Sequence, residues 1–130
     1  MHIPPFDNQN KAIIDVHHAH VPLTYFNIVK LKKGQHFSYQ IPEYETCIVP
    51  ATGCVKVDVD DAEFGEIGNR GSDVWDGEPE GVYVPTDIPA QMICISDSCE
   101  VFVAGARYED RLTHFAVRKN EIDFVQYGSD

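Results

Sequence analysis

From Thr24 onward, apolar and polar residues alternate with a period of two, the spacing of an extended chain that buries one face. Tyr25, Asn27, Val29 and Leu31 fall on one side and Phe26 and Ile28 on the other, before Lys33 and Gly34 signal a turn. Residues 36–41 repeat the pattern, with Phe37, Tyr39 and Ile41 opposite His36, Ser38 and Gln40, and Pro42 ends the run. The segment 45–50 reads as another strand, closed by a turn at Ala51, Thr52 and Gly53. In 54–60, Val55, Val57 and Val59 point one way and Lys56, Asp58 and Asp60 the other, so one side of this strand faces water. Val82, Tyr83 and Val84 form a short strand stopped by Pro85. Residues 91–95 and 99–104 are apolar on both faces and are expected to pair as a central hairpin across Ser96, Asp97 and Ser98. Two further extended segments, 112–117 and 122–127, are separated by Lys119 and Asn120. Nothing keeps apolar residues at helical spacing over a helix-length window, and short strands recur about every 8–12 residues. The fold class is therefore all-β, a sandwich or barrel whose glycine and proline corners fit a single-domain jelly roll.

The stretch 64–85, FGEIGNRGSDVWDGEPEGVYVP, departs from the alternation. Its glycines at 65, 68, 71, 77 and 81 give the backbone access to positive φ, so the segment is expected to turn repeatedly, with Trp75 as its large aromatic anchor.

Composition narrows the function classes. The 130 residues, 43% of them hydrophobic, suffice for one buried core and not two. A formal charge of −11 opposes phosphate backbones and anionic lipid, so neither nucleic acid nor membrane is an expected partner. The basic cluster Lys30, Lys32 and Lys33 reads as a solvated corner. No signal peptide pattern and no membrane-spanning run is present, which makes the cytoplasm the default location. Cys47, Cys54, Cys94 and Cys99 lack metal or redox spacing and are read as reduced core residues. Residues 1–11 form a polar, proline-containing arm, and 12–16 are a candidate first strand. His17, His18 and His20 are the most metal-like signal, with Glu45 as a distant fourth ligand, although such a cluster near a terminus is more often an exposed polar stretch.

The order Gly34, Glu45-x-x-Ile48-Val49, Gly53, Val55, Val57, then Phe64-Gly65-x-Ile67-Gly68-x-Arg70-x-Ser72-x-Val74 and Gly81-Val82-Tyr83-Val84-Pro85 resembles the amino-terminal half of the 5-deoxy-glucuronate isomerase family. These are sugar isomerases of inositol breakdown, related to 5-keto-4-deoxyuronate isomerase and built from two cupin domains in one chain. The resemblance runs from about Tyr25 to Ala106. It implies a cupin-type jelly roll over 25–111, preceded by an arm at 1–24. Residues 112–130 would then be an extended segment leading toward a second cupin not present in this chain.

In that family three histidines and a glutamate of the carboxy-terminal cupin hold a divalent metal such as zinc, and the amino-terminal cupin is the degenerate partner. Here the stretch between Gly34 and Glu45 contains only His36, and Asp87 and Ala90 stand where the later motif has glycine and histidine. The resemblance therefore implies no catalytic residue, metal or cofactor in this chain. Its partner would be the carboxy-terminal cupin of the same protein, and exposed sheet edges leave room for a homo-oligomer. The alternative is a stand-alone degenerate cupin that binds a small sugar or acid without catalysis. Arg70, Tyr83 and Gln91 would then be its substrate-binding candidates, converging inside the barrel.

Overall fold

The computed structural model describes residues 10–15, 24–71, 73, 75, 77–108, 110 and 112–121. Its eight strands are β1 (Thr24–Lys32), β2 (His36–Tyr39), β3 (Tyr44–Val59), β4 (Ala62–Arg70), β5 (Gly81–Val84), β6 (Ala90–Cys94), β7 (Ser98–Arg107) and β8 (Phe115–Val117). All described pairings are antiparallel. One sheet runs β1-β7-β3-β5-β8, and in the other β2 pairs β6, β6 pairs β3 and β3 pairs β4. The all-β, two-sheet expectation holds.

One strand serves both sheets. β3 is 16 residues long; its first part pairs with β7 and β5, its second with β6 and β4. The expected turn at Ala51–Gly53 is the point where the strand changes sheets, marked by register shifts between Pro50 and Thr52 and between Gly53 and Val55. Gly53 sits there at φ +75°, and a Cβ on it would lie 2.7 Å from Ser96 Oγ and 2.8 Å from Cys99 Cβ. Only glycine accommodates both the left-handed backbone and the close approach.

Four further expectations are corrected. Residues 91–95 and 99–104 are no hairpin: β6 pairs with β2 and β3, while β7 pairs with β1 and β3. The backbone beyond β6 is already engaged, since Cys94 N donates to Gln35 O and Ile95 N to Cys54 O. The glycine-rich segment continues as β4 up to Arg70, and its glycines at 65 and 68 are irregularities in a strand rather than turns. Trp75 anchors nothing, being 89% exposed. The described part of the candidate first strand, residues 12–15, contributes one bridge, Ile14 to Phe26, in place of a strand, and residue 16 lies outside the described residues.

Valines at 55, 57 and 59 are buried as expected, alongside Ile48, Ile67, Met92, Val101 and Val103. This apolar interior supplies the main drive for the sheets to stack. Sheet edges are covered locally. Asn10 exchanges two hydrogen bonds with the Lys30 backbone, and Ile13 and Ile14 bond to Phe26, which shields β1. Along β4, Arg118 donates Nη1 to Glu66 O and Nη2 to Phe64 O, both at 2.5 Å, and Glu80 accepts from Gly68 N at 2.9 Å. Residues just past β8 thereby tie one sheet to the edge of the other.

Gly53→Ala is expected to cost roughly 2–4 kcal/mol, combining left-handed strain with overpacking against Ser96 and Cys99. Urea denaturation checks this. A loss below about 0.5 kcal/mol would mean that the crossing does not depend on glycine.

Candidate functional site

In a two-sheet barrel a ligand site is built on the inward faces, so the polar groups there decide what the interior can do. Four such side chains lie together. Tyr25 and Thr46 flank Gly105 in register on β1, β3 and β7, and Asn27 sits one inward position further along β1. Tyr39 reaches across from β2 on the opposite sheet. Gly105 makes this possible, since a Cβ there would lie 2.8 Å from Thr46 Cγ2 and 2.9 Å from Glu45 O.

The group is largely satisfied from within. Tyr39 Oη and Thr46 Oγ1 share a hydrogen bond of 2.6 Å. Asn27, only 1% exposed, donates Nδ2 to Asn10 O at 3.2 Å and lies 3.5 Å from Tyr25 Oη. Its Oδ1 has no hydrogen-bond partner among the described residues. Burial pushes the Tyr39 phenol well above its ordinary range, against the opposing Thr46 bond, and the Tyr25 phenol is raised by burial against its Asn27 contact. Both therefore stay protonated at neutral pH. These are neutral groups that donate or accept hydrogen bonds, and none is a poised base or nucleophile.

Such a donor set does not fit a divalent ion of the zinc class, which takes imidazole, thiolate or carboxylate. His36 is exposed. Glu45 lies on the outward side of β3, accepting a 2.5 Å hydrogen bond from Tyr83 Oη. Among the described residues, no three His, Cys, Asp or Glu side chains are placed to hold a metal. His17, His18 and His20 lie outside the described residues.

The structure places the three binding candidates on separate surfaces rather than together in the barrel. Arg70 Nε donates to Gly77 O at 3.1 Å, fastening the loop after β4. Tyr83 faces outward and stacks on Phe115 with ring centroids 5.1 Å apart; burial and the Glu45 carboxylate raise its phenol above the usual range. Gln91 lies on the outer face of the other sheet, opposite Ser38 and Asp58, in a groove of about 450 Å³. Asp58 Oδ1 is buried beside it without a hydrogen-bond partner among the described residues.

All four cysteines are free. Cys94 and Cys99 are buried, and burial together with Cys94 pushes the Cys99 thiol up to about 12. Cys47 is exposed, a correction to its reading as a core residue: it points away from the barrel at the middle of the larger sheet. Sequence reasoning also passed over Asn27, Thr46 and Tyr39 as a group. The signal was a polar side chain on an otherwise apolar strand face, visible at Asn27 but not tied to its partners by spacing.

The model of the KduI/IolB family matches residues 2–130. The chain belongs to the KduI/IolB family. A 5-deoxy-glucuronate isomerase of Listeria monocytogenes serotype 4b is 35% identical over 95 residues, covering 72% of this chain and 28% of that protein. The chain thus matches under a third of that relative's length. The crystal structure of an IolB-like protein from Salmonella typhimurium LT2 superposes with a TM-score of 0.75 at 25% identity, covering 82% of this chain and 40% of its own. A cupin with a double-stranded β-helix fold from Methanocaldococcus jannaschii superposes at 0.51 with 20% identity, over 66% of this chain and 72% of its own, and shares the fold. This member of the KduI/IolB family is thus a cupin whose inward polar groups bond mainly to one another.

Tyr39→Phe or Thr46→Val alone strands a buried hydroxyl and is expected to cost about 1–2 kcal/mol. The double substitution should cost at least about 0.5 kcal/mol less than the sum of the two. A thermal or urea double-mutant cycle measures this, and strict additivity would show that the pair is not coupled.

Proposed function

We propose that these 130 residues form the amino-terminal, non-metal-binding half of a two-cupin sugar isomerase, one that interconverts an aldose and a ketose of the 5-deoxy-glucuronate type in inositol catabolism. The observation that carries this reading is the interior: Tyr39 spans it to Thr46, and Tyr25 and Asn27 complete a neutral cluster. Aldose–ketose isomerisation moves a proton between adjacent carbons and needs a base and a group that polarises two oxygens. Neither role suits high-pKa phenols and an amide. On this reading the divalent metal, such as zinc, is held by the carboxy-terminal cupin, and this half supports the fold as that cupin's partner. A cytoplasmic location fits a sugar-catabolic role. Among the described residues no helix is long and apolar enough to cross a membrane.

A second reading has its own observation. The Gln91 amide, the Ser38 hydroxyl and the Asp58 carboxylate line one groove, a combination suited to the hydroxyls of a small sugar. The two readings separate experimentally. The purified chain, given D-glucuronate and 5-deoxy-glucuronate in a thermal-shift and isomerase assay, is expected to show neither stabilisation nor turnover. Turnover by this chain alone would overturn the supporting role. Stabilisation that disappears in Gln91→Ala would establish the binding module instead.

A further inference from the structure

Three of the four cysteines gather where β3 changes sheets. Cys94 ends β6 and Cys99 is the second residue of β7, so the two belong to different sheets, joined by the short connection Ile95, Ser96 and Asp97. Both side chains are buried on the inward faces of their strands. The bend at Gly53 brings them together. A Cβ on Gly53 would lie 2.8 Å from Cys99 Cβ, while Cys94 is held two positions further along β3 by its pairing with Val55. There the thiols of Cys94 and Cys99 meet in a side-chain hydrogen bond. Cys94 also donates Sγ to Ser96 O at 3.3 Å. Cys54, on β3 itself, is half-exposed and engaged elsewhere: its thiol meets the Ile67 backbone on β4, and burial followed by Glu66 and Glu80 raises it.

β6 and β7 share no ladder, so at this end the sheets are joined by the β3 crossing, the connection 95–97 and side chains across the gap. A covalent bond between two thiols already in contact would add a further tie. We infer that Cys94 and Cys99 are an oxidisable thiol pair that closes to a disulfide and staples the two sheets beside the β3 crossing. The contraction from hydrogen-bond separation to an S–S bond of about 2.05 Å is small. Rotation of both side chains and the exposed Asp97 of the connection absorb it.

The oxidant is a low-molecular-weight disulfide. One protein thiol loses its proton, and its sulfur attacks the external disulfide, forming a mixed disulfide and expelling one thiolate. The second protein thiolate then attacks the protein sulfur of that mixed disulfide and expels the other. The protein gives up two protons and two electrons, and the reagent leaves as two thiols. Burial and the neighbouring Cys94 push the Cys99 thiol up to about 12, so it offers little thiolate at neutral pH and closure is slow there. The pair stands independently of the isomerase reading, because it rests only on the two thiols and the crossing.

Peptide mapping of the unaltered chain tests the pair, because trypsin leaves Cys94 and Cys99 in one peptide, 71–107, and Cys47 and Cys54 in another, 34–56. After overnight exposure to oxidised glutathione at about 10 mM and about pH 8.5, peptide 71–107 is expected to lose two hydrogens, with neither of its thiols open to alkylation in denaturant. Dithiothreitol should restore both. The oxidised chain should melt at least about 3 °C above the reduced one, since the cross-link restricts the unfolded chain. That shift should vanish in Cys99→Ser, whereas an effect of modifying Cys47 or Cys54 would persist there. Free thiols in 71–107 after treatment, a cross-link between 71–107 and 34–56, the lack of a rise in melting temperature, or a rise that survives in Cys99→Ser would overturn the proposal.

Discussion

The crossing of β3 from one sheet to the other is the constraint on which this molecule depends. A single strand of 16 residues lends its first part to β7 and β5 and its second to β6 and β4, so both sheets share one backbone. The crossing needs a residue without a side chain where β3 passes Ser96 and Cys99, and Gly53 is that residue. Pro50, which has no N–H to donate, sits beside the irregularity, where the ladder is already interrupted. Gly68 on β4 is the counterpart, since a Cβ there would meet Gly53 O at 2.5 Å. The two glycines let the strands close at the bend.

From that crossing follows the character of the interior. The sheets diverge from β3, and the space between them is filled by valines toward the middle and by Tyr25, Asn27, Tyr39 and Thr46 at one end. Buried polar groups are tolerated only when they bond to something, and here they bond chiefly to one another and to the Asn10 carbonyl of the arm. Residues 10–14 are thus part of the barrel, covering the β1 edge through Asn10, Ile13 and Ile14 while completing the polar cluster. Arg118 and Glu80 perform the same edge-covering role on the far side, at β4.

Much of this was legible because alternation reports burial directly. The Val55, Val57, Val59 row and the Tyr25, Asn27, Val29, Leu31 row face inward as their spacing predicts. Long-range pairing was not legible. Ser96-Asp97-Ser98 has the length and composition of a hairpin turn, yet it carries the chain between sheets, because β3 separates β6 from β7 in space. Ala51, Thr52 and Gly53 read as a break, since a bulge and a turn use the same residue types. Tyr83 and Gln91 stood out as polar groups in apolar strands. The alternation that buries Val82, Val84 and Met92 necessarily turns those two outward. The polar interior was the least visible feature, because Tyr39 and Thr46 meet through the fold and not through the sequence.

The barrel interior is closed by its own side chains, Tyr39 spanning it to Thr46. A crystal structure of the chain soaked with D-glucuronate and a divalent metal salt tests that closure most directly. Tyr39 Oη is expected to remain hydrogen-bonded to Thr46 Oγ1, with neither sugar nor ion between the sheets. Sugar or metal density inside the barrel, with Tyr39 swung away from Thr46, would contradict it.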